Sequence, residues 1–460
     1  MAQRKALSNP AVAIPDAENQ VRAFGHTLAM TEWLSPQELQ ASQTLLAWKL
    51  LLHARRTTPF YKDRLDADLA SPEAVRRFWS DIPILTRSEA TKERFKLISR
   101  RPPREMGPVS EGRTSGSTGT PFVFKKNAAS DVVAAALTER MFRWWSMDGR
   151  DAFAQITSDT TGEAAPPNGR TTFGWHSSHP GGIKHVIGVN TDAETHLRWL
   201  MRHRAAYFGS YPAILKELAR NVQSGGIELR FEQLLSFAAV LDDETRALCR
   251  AAFGSEIADT YGTQEVGHVA AQCRDCGDYH ISAEAAVVEV LRSDGSPAEP
   301  GEIGRVIVTP LYNYAMPLIR YELGDLAEVG PISFGCGRGL PALRRILGRA
   351  RNMFRFRDGS TIWPITSAFR LGEFIALKQF QVVQTDFDRI EIRFVPQPTD
   401  RPIDVPALTQ RVRTVLRQPV EVAVRSVDRI DRSVGGKYEE CISLVSDVQN
   451  SSLAPSSCGS

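Results

Sequence analysis

Between about residue 120 and residue 310, segments of helical period alternate with short apolar runs, and this alternation restricts the fold most. Ala134 to Trp145 has the pattern of a buried helix. Leu215–Val222 and Asp243–Ala252 each carry one apolar face, and Gly254 stops the second. Val287–Leu291 and Arg305–Val308 are short runs that predict buried strands. Such a chain folds into α/β layers with helices packed on sheets. Upstream, Ser35-Pro36-Gln37-Glu38 predicts a helix start. Ser35 accepts first-turn N–H groups, Pro36 suits the first helical position, and Glu38 completes a capping box. Ser71-Pro72-Glu73 opens a second helix in the same way.

At 460 residues the chain exceeds one comfortable hydrophobic core and predicts two to four packed units. From Arg349 onward the pattern changes. Phe354–Arg357 and Thr361–Trp363 flank the turn signal Asp358-Gly359; Gln379–Gln384 and Arg389–Phe394 read as strands. Ala407–Arg417 then reads as a helix and Val420–Arg425 as a strand, which together make a small α+β domain. The expected layout is a loose arm over 1–30, a large body over 31–348, a small domain over 349–445 and a disordered tail over 446–460.

The 56 Lys+Arg residues against 53 Asp+Glu leave +3, so electrostatics gives no reason to expect nucleic acid or an anionic membrane as partner. No window reaches 18 consecutive apolar residues. Six cysteines in 460 residues, without an evident export signal, predict reduced thiols and a cytoplasmic setting.

The densest chemical signal is Arg113-Thr114-Ser115-Gly116-Ser117-Thr118-Gly119-Thr120-Pro121. Its glycines let consecutive N–H groups converge on an anion, and the interleaved hydroxyls add donors. Phe122-Val123-Phe124 follows at once and predicts a strand anchored in a core, rather than an exposed linker. The loop lacks the Gly-Lys-Ser/Thr ending of a Walker A motif.

Four further islands follow in order: Tyr261-Gly262-Thr263-Gln264-Glu265, Pro317-Leu318-Ile319-Arg320-Tyr321-Glu322-Leu323-Gly324-Asp325, Ile346-Leu347-Gly348-Arg349, and Ser433-Val434-Gly435-Gly436-Lys437. The ordered set resembles the adenylate-forming superfamily, in its phenylacetate–CoA ligase-like branch. His53-Ala54 with Thr58-Pro59-Phe60-Tyr61, and Ile82-Pro83-Ile84-Leu85-Thr86, resemble that branch's N-terminal signposts. The resemblance implies a large multi-sheet adenylate-forming domain with a small mobile C-terminal domain. It also implies ATP-dependent, AMP-forming ligation of a small carboxylic acid.

By the same resemblance, Ser115, Gly116, Ser117, Thr118 and Gly119 hold the β- and γ-phosphates of ATP. Tyr261, with Gly262 and Thr263, lies at the adenine, Asp325 accepts from the ribose hydroxyls, and Arg349 contacts the ribose. Glu265 helps ligate Mg²⁺, and Lys437 meets the carboxylate and the α-phosphate during adenylation. Three departures stand out. Ala238-Ala239 occupies the place of a Gly-Glu pair, Gln264 that of a hydroxyl residue, and Asn352 that of a hinge aspartate. They motivate a contrasting expectation, a nucleotide-binding scaffold that has lost catalysis.

Cys273-x-x-Cys276-x-x-x-His280 and the remote Cys336 supply four candidate ligands for a closed, structural zinc site; the alternative is three buried thiols and a surface histidine. His176-Ser177-Ser178-His179 has ligand-like spacing but reads as an ordinary loop. For the acid, Ser158, Phe208, Tyr211 and Ala238 are the candidate pocket residues. The aromatics fit a flat acid or, equally, a core. The resemblance implies a thiol such as CoA as the acyl acceptor, with an amine or a carrier protein as the alternative, and a homodimer is a further possibility.

Overall fold

Ser35 caps the longest helix among the described residues, α2. Its hydroxyl accepts from Glu38 N–H while the Glu38 carboxylate takes the Ser35 N–H, the reciprocal box that the sequence predicts. The computed structural model describes residues 16–65, 69–114, 121–159, 161–333, 335–364, 366–397, 402–430 and 439–445. They divide into a large unit (1–241 and 245–346) and a smaller one (347–460 with 242–244).

The helices are α1 Ala17–Thr31, α2 Pro36–Thr57, α3 Pro72–Phe78, α4 Arg87–Lys92, α5 Ala128–Trp144, α6 Ala193–His203, α7 Pro212–Gly225, α8 Asp243–Phe253 and α9 Val405–Leu416. The strands of the large unit begin with β1 Val109–Arg113, β2 Val123–Asn127, β3 Phe153–Thr157, β4 Arg170–Phe173 and β5 Ile183–Gly188. There follow β6 Tyr207–Ser210, β7 Gln233–Ser236, β8 Ile257–Thr263, β9 Gly267–Gln272 and β10 Tyr279–Ile281. β11 Ala286–Leu291, β12 Ile303–Pro310, β13 Tyr321–Val329 and β14 Ala342–Arg349 complete them.

Apart from the β1–β2 hairpin, these strands form one hydrogen-bonded sheet in the order β11-β12-β13-β14-β10-β9-β8-β7-β6-β3-β5-β4. From β5 through β8 the pairs are parallel, as the helical crossovers demand; β4–β5, β8–β9, β9–β10, β10–β14, β11–β12 and β12–β13 are antiparallel. Under the parallel half, Trp199 of α6, Leu215 and Leu218 of α7 and Phe253 of α8 close a core with Phe208 and Leu234 of the sheet. The expected strand at Val287–Leu291 is β11, but it lies at the sheet edge, so Val288 and Val290 are only half-buried.

The N-terminal segment departs from the expected loose arm. Residues 17–31 form a helix because Val21 and Leu28, spaced seven apart, bury one face against Val132, Val133 and Leu137 of α5. Phe24, between them at helical spacing, packs against the same cluster.

The smaller unit has the hairpin β15 Phe354–Arg355 with β16 Thr361–Ile362, turned at Gly359 with φ of 80°. Its sheet of β17 Leu377–Asp386, β18 Arg389–Pro396, β19 Glu421–Ser426 and β20 Cys441–Ser443 runs β19-β18-β17-β20. α9 lays Leu408, Val412 and Leu416 into a core with Val382, Ile390 and Ile392. Among the described residues, no helix is long and apolar enough to cross a membrane.

Candidate active site

The glycine-rich stretch lies in sequence between β1 and β2, which pair as a hairpin. Residues 115–120, and so Ser115, Gly116, Ser117, Thr118 and Gly119, lie outside the described residues, as do Ser433 to Lys437. The stem of the hairpin is well defined. Arg113 pairs with Val123, Thr114 N–H donates to Phe122 O at 3.0 Å, and Phe122 N–H donates to Thr114 Oγ1 at 3.0 Å. Phe122 and Phe124 are fully buried, which anchors the stem in the core.

Glu265 sits in the tight turn between β8 and β9. Gly262 is required there, since a Cβ on it would lie 2.3 Å from the Gly267 carbonyl oxygen. The Glu265 side chain is only 2% exposed, and Arg87 Nη1 approaches its Oε1 at 3.0 Å. Arg87 Nη2 donates to Thr114 Oγ1 at 2.8 Å, so one guanidinium joins the buried carboxylate to the loop stem. The Tyr321 hydroxyl lies 3.5 Å from Glu265 Oε1, and the Tyr321 ring stacks on Phe122.

Sequence reasoning missed Arg87. It reaches the site because the preceding signpost is bound to β13: Leu85 N–H donates to Arg320 O at 2.9 Å and Glu322 N–H to Leu85 O at 3.0 Å. Arg320, with φ of 47°, sends its guanidinium back to the Ser80 and Ile82 carbonyls, both at 2.6 Å, and pairs with Glu289. The other signpost is tied to the loop that leads into β13. Tyr61 donates to Pro317 O at 3.1 Å and accepts Ile319 N–H at 3.0 Å, while His53 Nε2 lies 3.0 Å from Tyr314 O. The available signal was Arg87 standing directly after Thr86, the last residue of the second signpost.

Tyr261 and Asp325, assigned separately to adenine and ribose, meet directly. Both are buried, and the Tyr261 hydroxyl donates to Asp325 Oδ2 at 2.9 Å. Thr263 Oγ1 accepts the Val266 N–H at 3.4 Å and so helps hold the turn. Arg349 is the last residue of β14. Below Tyr261 on the same strand, Asp259 is buried and accepts from Tyr279 at 2.7 Å. Burial pushes its carboxyl up to about 6, against the opposing pull of that bond and of Arg246.

The four acid-pocket candidates separate. Tyr211, at the start of α7, is buried, stands edge-on to Phe237, and accepts the Ser158 N–H at 3.1 Å. Ala238 is exposed and held at φ of 68°. Phe208 is a correction: it is fully buried in the core beneath the sheet, 5.2 Å from the Phe231 ring, and offers no surface to a ligand.

Cys273, Cys276, His280 and Cys336 come together, with their ligand atoms within 4.8 Å of one another. His280 Nε2 is 3.5 Å from Cys276 Sγ and 3.3 Å from Cys336 Sγ. A tetrahedron with Zn–S of about 2.3 Å and Zn–N of about 2.0 Å has edges of about 3.5 Å, so the donor set fits zinc. His280 Nδ1 faces the Leu340 carbonyl at 3.1 Å, which leaves Nε2 as the metal-facing atom. His176 and His179 lie in a turn anchored by Glu139, which takes the Ser177 N–H and hydroxyl at 2.6 and 2.7 Å.

No family profile matches the chain. In sequence it is 25% identical over 452 residues to the phenylacetate-coenzyme A ligase of Thermus thermophilus, covering 90% of this chain and 98% of that one. It is 26% identical over 346 residues to the Escherichia coli phenylacetate-coenzyme A ligase, with 72% and 76% covered. Protein CapK of Staphylococcus aureus matches at 21% over 358 residues, 75% of each chain. In structure, 2-hydroxyisobutyryl-CoA ligase in the postadenylation state superimposes with a TM-score of 0.70 at 17% identity, over 92% of this chain and 93% of that one.

Proposed function

We propose, for a chain that belongs to the adenylate-forming superfamily and its phenylacetate–CoA ligase-like branch, that it is an ATP-dependent, AMP-forming ligase joining a small carboxylic acid to a thiol, CoA first among the candidates. In the first half-reaction a carboxylate oxygen attacks the α-phosphorus, the α–β phosphoanhydride breaks and pyrophosphate leaves. In the second, the thiolate attacks the acyl carbon, a C–S bond forms and AMP leaves. The observation that best supports this reading is convergence. Residues of three separate motifs, Glu265 with Tyr261, Asp325 and the Thr114–Phe122 stem, are linked within one unit through Arg87 and the Tyr261–Asp325 bond.

Each residue has a physical task in this reading. Ser115 to Gly119 with Thr118 hold the phosphate chain, where converging N–H groups and hydroxyls disperse charge. Asp325 accepts the ribose hydroxyls while Tyr261 fixes its orientation, and Arg349 contacts the ribose. Lys437, after two glycines, brings a mobile point charge to the carboxylate and α-phosphate. Glu265 would help hold Mg²⁺, a hard cation that would supply charge neutralisation at the phosphates. Cys273, Cys276, His280 and Cys336 hold a structural zinc, since protein fills all four positions. A cytoplasmic setting belongs to the same reading.

ATP–pyrophosphate exchange across a panel of aliphatic and aromatic acids tests it. Exchange that depends on acid and is lost in Lys437→Ala, with ATP binding kept, is the expected result. No acid-dependent exchange would leave the catalytically lapsed scaffold as the better description. Adding CoA, amines or carrier proteins to the active mixture then separates thiol from amine acceptors.

A further inference from the structure

We propose that the cysteine–histidine site is a staple for the junction between α1 and α2, with Arg338 as its link; this rests on the zinc reading. The loop that carries Cys336 lies directly on residues 32–34. Gly339 N–H donates to the Glu32 carbonyl at 3.0 Å, and a Cβ at Gly339 would stand 1.7 Å from the Leu34 carbonyl oxygen, so only glycine permits this approach. One residue earlier, Arg338 is buried. Its Nη1 donates to Cys273 Sγ at 3.1 Å and to Asp275 Oδ2 at 2.8 Å, and its guanidinium lies over the rings of Trp33 and Trp144, at 5.2 and 4.7 Å. Its Nε stands 4.0 Å from Glu32 Oε1. Glu32 is fully buried, accepting from Arg143 at 3.1 and 2.8 Å and from Trp144 at 3.1 Å.

The charges explain the arrangement. Three thiolates and a neutral imidazole around a dication leave one net negative charge, and the Arg338 cation offsets it beside Cys273. The metal joins the β9–β10 hairpin, which supplies Cys273, Cys276 and His280, to loop 336–340. Arg338 and Gly339 carry that constraint onto Glu32. Without the metal, the loop is held to the hairpin by hydrogen bonds of His280 with Leu340 and Cys336, by the Ile281 N–H donated to Pro341 O and by the contacts of Arg338.

Hydrogen exchange on the full-length protein, with zinc content measured on the same samples, tests this. Chelation is expected to remove zinc and to speed exchange of amides in Leu28–Leu34 and 336–343 by about tenfold or more, while α9 is unchanged. Arg338→Met is expected to retain zinc yet speed exchange at Glu32–Leu34, with Arg338→Lys intermediate. Zinc lost on chelation with unchanged exchange at Leu28–Leu34 overturns the staple and leaves the zinc reading standing. Arg338→Met with wild-type exchange overturns the role of Arg338. Protein that neither contains zinc nor takes it up defeats the zinc reading, and the staple falls with it.

Discussion

The Tyr261 hydroxyl donates to Asp325 Oδ2 at 2.9 Å, although β8 and β13 are separated in the sheet order by β9, β10 and β14. In a flat sheet, four strand spacings of about 4.8 Å would hold these backbones roughly 19 Å apart. The hydrogen bond is therefore possible only because the sheet coils strongly through its antiparallel half. Coiling turns two motif residues 64 positions apart into one buried donor–acceptor pair.

Tyr261→Phe tests that pair. It removes one donor from a buried carboxylate and keeps the ring. We expect a stability loss of about 1–2 kcal/mol and ATP binding weakened about fivefold to tenfold, read by urea unfolding and by nucleotide titration. Unchanged nucleotide affinity would detach the pair from the ribose role.

Arg87→Met leaves Glu265 buried without its 3.0 Å cation. Because Arg87 is itself 28% exposed, we expect about 1–3 kcal/mol of destabilisation rather than the full cost of a buried orphan charge. If Mg²⁺ binds at Glu265, that deficit shrinks when Mg·ATP is present. Thermal melts with and without Mg·ATP measure it; an equal deficit in both conditions would argue against Glu265 as the metal ligand.

Ala238→Gly relieves a left-handed residue. At φ of 68° a Cβ costs about 1–2 kcal/mol, partly offset by the entropy glycine adds to the unfolded chain. The expected gain is about 0.5–1 kcal/mol in denaturant unfolding. A loss would mean that the Ser236–Val240 segment is not held as described.

Asp259→Asn tests the buried carboxyl beside Tyr279. The folded protein holds this proton to about pH 6, whereas an unfolded aspartate releases it near pH 4. The contribution to stability is thus complete below about pH 4 and is lost as pH rises through about 6, at about 1.4 kcal/mol per unit between them. Asparagine keeps an acceptor for Tyr279 and carries no such cost. The variant should be more stable than wild type at pH 8 by on the order of 1–2 kcal/mol, and no more stable at pH 4. Unfolding curves at the two pH values decide it.

Local signals carried far. The Ser35–Glu38 box, the Asp358-Gly359 hairpin and the apolar faces of α7, α8 and α9 are recorded in neighbouring residues, and each forms where its sequence places it. The spacing of Cys273, Cys276 and His280 likewise marked candidate ligands, which the fold gathers with Cys336. Signals that depend on a distant partner were lost. Val21, Phe24 and Leu28 recur at helical spacing, but Gly25 and the polar residues between them dilute the stripe, and α5 is what covers it. Phe208 and Tyr211 both join the core under the parallel strands, and only the fold shows that Phe208 keeps no exposed surface.

By itself the sequence determined the element types outside the N-terminal segment, the order of the motifs and the residue chemistry of the site, because hydrophobic period, caps and turn residues act over a few positions. Only the tertiary structure decided that Arg87 lies between Glu265 and Thr114, that Tyr261 bonds Asp325, and that Arg338 spans Cys273 and Glu32. Those relationships depend on sheet coiling and on loops bound across the chain. Their geometry is set by the packing of all the elements together, which no short window of residues encodes.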